Sequence, residues 1–162
     1  MTKALEKLSD ITSEIKTYES LSELEITQIF LLRYLVFNVE QDSGVEDIDG
    51  KDKFSSHLMF KYKENIIAYA RMFNQGIRYQ DASAIGRVVV NKEFRGIGLG
   101  KELINTGTNH LFSQDNCQIR ICGQAHLEKF YNDLGYKTVS KAPFLFEEIM
   151  HLDFELENLK NT

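Results

Sequence analysis

The sequence predicts an α/β (α+β) domain in three layers, a mixed β-sheet flanked by helices. Two patterns carry this expectation. Short apolar stretches of strand character alternate with stretches of helical period, and between residues 85 and 122 a strand, a glycine-rich turn, a helix and another strand follow directly on one another. Composition agrees with one globular domain: 162 residues, 43% hydrophobic and 27% charged, with the single proline Pro143 and no low-complexity run or internal repeat.

Residues 15–19 read as a short first strand. Ser22 is a candidate N-cap for a helix whose Leu24, Ile29, Leu32, Leu35 and Val36 approximate one face and which ends before Gly44. Leu58, Phe60 and Tyr62 alternate with polar neighbours, Lys63-Glu64-Asn65 turns, and 66–73 continues, so the pair reads as an antiparallel hairpin. A polar loop, 74–83, leads to a β-branched strand at 85–90. The helix after it, 99–112, carries Leu99, Leu103, Ile104 and Leu111, and 118–122 is the strand that closes a β-α-β unit. A second helix spans about 125–134 and stops at Gly135, a residue type suited to a helix end. Strands near 136–139 and 148–154 complete the sheet.

Several functional classes are disfavoured. A net charge of −5 argues against a general nucleic-acid footprint and suits an amine-bearing partner. Residues 1–10 lack the apolar core of a signal peptide, and the apolar run 29–39 is too short for a membrane span and carries Arg33, so a soluble, cytoplasmic protein is expected. Cys117 and Cys122 stand five apart in a strand-like segment, on opposite faces, where they do not pair. The histidines His57, His110, His126 and His151 lack ligand spacing, so no metal is expected. The acidic run 47–52 fails as a calcium loop, because Val45 and Ser56 stand where acids are needed, and reads as a solvated loop or one edge of an acceptor site. Arg33, Arg71 and Arg87 need anionic partners, for which Glu40, Asp49 or a substrate carboxylate are the candidates.

The chemistry concentrates in Arg95-Gly96-Ile97-Gly98-Leu99-Gly100-Lys101. Glycines let the backbone turn tightly and bring its N–H groups to a ligand, and the helix that follows adds its positive end, so the run reads as a cradle for phosphate. A dinucleotide fingerprint would need glycine where Lys101 stands. A P-loop would need glycine in place of Arg95 and a hydroxyl in place of Glu102.

What fits is R-x-x-G-x-G after a valine-rich strand, which resembles the coenzyme A pyrophosphate loop of the GNAT acyltransferase superfamily. The segment Gln124-Ala125-His126-Leu127-Glu128-Lys129-Phe130-Tyr131-Asn132-Asp133-Leu134-Gly135-Tyr136 resembles that family's helix after the fifth strand. Further matches in order are Arg33 to Phe37 with Glu40-Gln41, Asp47-Ile48-Asp49-Gly50-Lys51-Asp52, His57-Leu58, Ala68-Tyr69-Ala70-Arg71 and Ile85-Gly86-Arg87-Val88-Val89-Val90. Together they resemble the ElaA-like branch over nearly the whole chain. Departures lie at Ser43-Gly44-Val45 and at Phe144-Leu145-Phe146-Glu147-Glu148-Ile149-Met150, both on the acceptor side.

The resemblance implies the GNAT fold, a mostly antiparallel sheet of about six to seven strands with about four helices. It implies a domain at 15–156, an N-terminal extension 1–14 and a tail 157–162. Acetyl-CoA would be the acyl donor and a small-molecule or protein amine the acceptor, joined by direct transfer in a ternary complex, with no metal, nucleic acid or membrane involved. Arg95, Gly96, Ile97, Gly98, Leu99, Gly100 and Lys101 would hold the pyrophosphate. Val88, Val89, Val90 and Gln124 would hold the pantetheine arm. Tyr131 would protonate the leaving thiolate, since a phenol of pKa about 10 stays protonated near neutrality. Glu40, His57 and His151 are the candidate bases. Two other readings share the scaffold: a non-catalytic acyl-CoA-binding module, and an acyl-homoserine-lactone synthase, which Arg33 to Phe37 resembles but which typically shows a tryptophan that this chain lacks. Residues 1–10 read either as a frayed helix or as the arm of a homodimer.

Overall fold

The computed structural model describes residues 8–44, 46–115 and 117–158. Val45 and parts of the expected extension and tail, residues 1–7 and 159–162, lie outside the described residues.

One sheet holds eight strands among the described residues: β1 (Ile11–Thr17), β2 (Ser56–Tyr62), β3 (Asn65–Phe73), β4 (Ala82–Val90), β5 (Gln118–Gln124), β6 (Lys137–Thr138), β7 (Phe144–Phe146) and β8 (Ile149–Leu156). Their order is β1-β2-β3-β4-β5-β8-β6, with β7 also paired to β8. Every pairing is antiparallel except β4 with β5. Three α-helices lying wholly within the described residues accompany them, α1 (Glu23–Tyr34), α2 (Leu99–Gln114) and α3 (Glu128–Asp133). The described chain thus has more strands and fewer helices than expected, and none of its helices is long and apolar enough to cross a membrane.

α1 starts at a reciprocal cap: the Ser22 hydroxyl accepts from the Glu25 N–H (3.1 Å) and the Glu25 carboxylate accepts from the Ser22 N–H (2.8 Å). Past Tyr34 the helix widens into a π-type turn, Leu35–Glu40, ending with the Gln41 N–H on the Val36 carbonyl at 3.1 Å. Ile29, Leu32 and Val36 pack on Met59, Ile66, Tyr69 and Val89, whereas Leu99, Leu103, Ile104 and Leu111 of α2 cover the other face with Leu58, Ile85, Ile121 and Phe154. Because the sheet is covered on both sides, β3 is buried from Ile66 to Phe73 and the expected alternation in this hairpin gives way to burial on both faces.

β1 begins at Ile11, earlier than expected, because its first residue already pairs with Tyr62. β7 was not expected at all. Its turn into β8 places Glu147 (φ 50°) and Glu148 (φ 62°) in the left-handed region, the geometry of a tight hairpin turn that usually uses Asn-Gly, so the sequence carries none of the usual turn residues.

Two irregularities of β4 make the site. It pairs with β5 only at Ala82, Ser83 and Ala84; beyond them the two strands separate and β4 runs on to Val90 without its neighbour. Across from β3, Tyr69 faces Val89 and Arg71 faces Gly86, so Arg87 and Val88 together oppose Ala70, a bulge at which Arg87 adopts φ 52°. Ile85 faces α2, which puts its neighbour Gly86 on the α1 face.

Candidate active site

The gap between the separating strands is a cleft walled by Gly86, Arg87 and Val88 on one side and Cys122, Gly123 and Gln124 on the other. Phe37 and Gln41 of the π-type turn, Phe146, Glu147 and His151 of the last hairpin, and Tyr131 of α3 also line it. A hydrogen bond from the Gln124 amide to the Gln41 side chain (2.9 Å) ties β5 to the π-type turn.

Beyond β4 the glycine run turns into α2. Gly96 (φ 77°) and Gly98 (φ 88°) both need the left-handed region, and no atom lies within 4 Å of where a Cβ on either would stand. Gly98 is the N-cap of the 16-residue helix and offers no side-chain cap. The first-turn N–H groups of Leu99, Gly100 and Lys101 therefore lack both intrahelical and capping partners, and the helix dipole adds to them. This open, uncapped turn fits a pyrophosphate such as that of acetyl-CoA. The Arg95 side chain is not part of the cradle: its Nε donates to the Val90 carbonyl (2.9 Å) and its guanidinium holds Glu40 (3.0 Å).

Tyr131 stands on α3 with its ring against β5. It is 4% exposed, with the Phe154 ring 4.7 Å and the Tyr136 ring 6.4 Å away between centroids. The contact requires glycine beneath it, since a Cβ on Gly123 would stand 2.6 Å from Tyr131 Cε2. Burial pushes the phenol pKa up, so the group holds its proton throughout the neutral range.

The three candidate bases separate cleanly. His151 lines the cleft, opposite Gln124 across the β5–β8 ladder. Its Nδ1 is 2.8 Å from the Ile149 carbonyl, which can only accept, so the neutral ring carries its proton on Nδ1 and keeps its lone pair on Nε2. His57 is 1% exposed on β2, away from the cleft, with Nδ1 on the Tyr69 hydroxyl (2.8 Å) and Nε2 at the Asp52 carbonyl (2.9 Å). Burial lowers its pKa. Glu40 also lies off the cleft wall, and the Arg95 guanidinium holds its carboxyl below the usual range.

In the acidic run 47–52, Ile48, Gly50 and Lys51 are exposed, but its three aspartates are engaged by arginines. Arg33, fully buried, donates to Asp47 (2.7 Å) and Asp52 (2.6 Å). Arg71 donates to Asp49 (2.7 and 2.8 Å) and Asp52 (3.2 Å). Arg87, at the bulge, pairs with Asp47 (2.8 Å) and Glu147 (3.2 Å). Asp49 thus serves as expected, whereas Glu40 serves Arg95 instead. The network pins the loop and the last hairpin to the bulged strand and so fixes the α1-side wall of the cleft. Among the described residues no cluster of metal-ligating side chains occurs, and both cysteines are free, with burial pushing the Cys122 thiol up to about 11.

The sequence pattern did not single out Arg78 and Tyr79 on this wall, and marked Glu147 only as part of a segment departing from the family pattern. Their signal was weak: a cation beside an aromatic ring within a polar loop, and an acid in a turn lacking turn residues.

A sheet opened between its parallel strands above an uncapped glycine turn defines an acyl-CoA-dependent acyltransferase, and the chain belongs to the GNAT acetyltransferase family, whose acetyltransferase (GNAT) domain model matches residues 37–158. Within the family it is ElaA-like. Protein ElaA of Escherichia coli is 32% identical over 129 residues, covering 74% of this chain and 82% of ElaA, and its crystal structure superposes with a TM-score of 0.84 over 91% of this chain and 99% of that one. An acyl-CoA N-acyltransferase from Pseudomonas aeruginosa matches with a TM-score of 0.84 at 28% identity, over 90% of this chain and 98% of that one. A GNAT family acetyltransferase from Elizabethkingia anophelis, solved with acetyl-CoA bound, shares the fold at 15% identity and a TM-score of 0.67, over 92% of this chain and 99% of that one.

Proposed function

We propose that the protein transfers an acetyl group from acetyl-CoA to the amine of a small molecule or protein, directly, within a ternary complex. The observation that carries this reading is convergence: Tyr131 and His151 line one cleft, at the gap where β4 loses its neighbour and leads into the uncapped α2. The bound donor supplies an activated thioester carbonyl and a thiolate leaving group.

The chain's own groups have separate tasks. Backbone N–H groups of Gly96, Ile97, Gly98, Leu99, Gly100 and Lys101 hold the pyrophosphate, with Arg95 bracing the loop through Glu40. Val88, Val89 and Val90 offer the edge that β5 leaves free, where backbone N–H groups hold the pantetheine arm and polarise the carbonyl. Gln124, fixed by Gln41, lines the path of that arm. His151 Nε2 takes one proton from the incoming ammonium; as the C–N bond forms and the C–S bond breaks, Tyr131 gives its phenolic proton to the departing sulfur and the second proton leaving the nitrogen restores the phenol. We assign no proton transfer to Glu40 or His57, whose side chains are engaged off the cleft wall.

Thiol release from acetyl-CoA across an amine panel tests the reading. Tyr131→Phe should lower kcat by roughly 10² to 10⁴, the usual worth of a general acid, while retaining CoA affinity. Full rate in Tyr131→Phe at every pH would remove the acid role. Uptake of acetyl-CoA with no turnover on any amine would favour the binding-module reading.

A further inference from the structure

Every arginine on the α1 side of the sheet and at the cradle has a carboxylate of the protein to neutralise it, except one. Arg33, Arg71, Arg87, Arg95 and Arg120 are each paired. Arg78, half-buried on the cleft wall, has no carboxylate partner among the described residues; its Nε reaches only the Tyr79 hydroxyl, at 3.3 Å. The Tyr79 ring carries two guanidinium groups, Arg78 at 5.5 Å and Arg120 at 4.7 Å from its centroid. Arg120 is neutralised by Asp81 (3.1 Å) and Glu155 (2.6 Å). Both carboxylates of this cluster sit on Arg120, so the Arg78 guanidinium has none of its own.

The Arg78 side is where an acceptor would lie. Arg78 Nη1 comes within 4.0 Å of the position a Cβ on Gly86 would take, so the absence of a side chain there leaves the guanidinium room over β4. Gly86 faces α1, whereas the phosphate cradle opens α2 on the other face of the sheet. It also lies just before the bulge at Arg87 and Val88, so Arg78 stands over β4 immediately ahead of the stretch assigned to the thioester.

We propose that the amine acceptor carries a carboxylate and that Arg78 reads it; this rests on the acyl-transfer reading above. One planar guanidinium matches the charge and the two coplanar oxygens of a carboxylate, and Tyr79, stacked beside it, limits its freedom. The same uncompensated cation disfavours aliphatic polyamines, whose second charge would approach Arg78.

The test compares primary amines identical but for one group, ω-amino acids and dipeptides against their carboxamides, as acceptors with acetyl-CoA. The wild-type protein should favour the carboxylate by about tenfold or more in kcat/KM, mostly through KM. Arg78→Gln should bring the ratio close to one, and Arg78→Lys should restore part of it by charge alone. A wild-type ratio at or below one, or one unmoved by Arg78→Gln, overturns the proposal. If no amine turns over, the acyl-transfer reading fails, and calorimetric titration with N-acetylated ω-amino acids decides the site separately. Binding lost in Arg78→Gln supports it; no binding, or equal binding to both proteins, overturns it. Thermal melting of both variants verifies folding.

Discussion

Gly123→Ala links the packing of Tyr131 to its chemistry. The added methyl would stand 2.6 Å from Tyr131 Cε2 and 3.1 Å from Phe154 Cε2, so ring or strand must retreat by about 1 Å to reach ordinary contact. The ring has little room, being boxed in by Phe130, Tyr136 and Phe154 with centroids at 5.2, 6.4 and 4.7 Å. Overpacking of this kind costs about 1–3 kcal/mol, and in a chain of this length each kcal/mol lowers Tm by roughly 2–4 °C. Displacing a proton donor by about 1 Å costs on the order of 10² in rate. Thiol-release kinetics, calorimetric CoA titration and thermal melting separate the effects: kcat should fall about 100-fold, CoA affinity should hold, and Tm should drop by several degrees. Gly107→Ala is the contrast. Its methyl meets only the flexible ends of Ile85 (3.2 Å) and Met72 (3.3 Å), and the helix-interior gain of roughly 0.5–1 kcal/mol offsets the crowding, so stability should change by less than about 1 kcal/mol. A Gly123→Ala protein with wild-type kcat and Tm would refute the claim that β5 positions the phenol.

Asp52→Ala leaves Arg33 short of one partner and removes one of two carboxylates from Arg71, and should cost about 3–5 kcal/mol by urea unfolding, as expected for breaking a buried pair. Glu25 is held down at about 2: burial opposes its charge, but hydrogen bonds from Lys61, Lys16 and the Ser22 N–H prevail. Its folded pKa lies below the ordinary 4.5, so its contribution is complete above about pH 4.5 and is lost as pH falls towards 2. Screening at a partly wetted site reduces that contribution to about 1–2 kcal/mol, and the Tm-against-pH curves of wild type and Glu25→Gln should converge through this window. Glu40→Gln removes the brace on Arg95 and should weaken CoA binding by a few-fold, with kcat at saturation little changed; a large kcat loss would restore Glu40 as a base candidate.

The β-α-β unit and the helix ending at Gly135 were legible in the sequence because their signals are local: β-branched runs, a glycine turn and a helical period. The glycine turn into α2 was legible for the same reason, since left-handed turns such as those at Gly96 and Gly98 leave glycines in the chain. Non-local pairing was not legible. Glu147 and Glu148 are driven into a tight turn by the ladder between β7 and β8, and the bulge at Arg87 exists only against Ala70 of β3. The pairing of the aspartates in the acidic run was not legible because their partners, Arg33, Arg71 and Arg87, come from three separate elements. Among the base candidates, residue type alone could not rank His57 against His151; the neighbours of their ring nitrogens distinguish them.

On the proposed reading, main-chain N–H groups at the start of α2 and along the free edge of β4 hold the acyl donor in the gap between β4 and β5. A crystal structure with CoA tests it most directly. The diphosphate should lie on the N–H groups between Gly96 and Lys101, the pantetheine arm alongside Val88 to Val90, and the sulfur near the Tyr131 hydroxyl. A nucleotide seated elsewhere, or a protein that takes up no CoA at millimolar concentration, would contradict it.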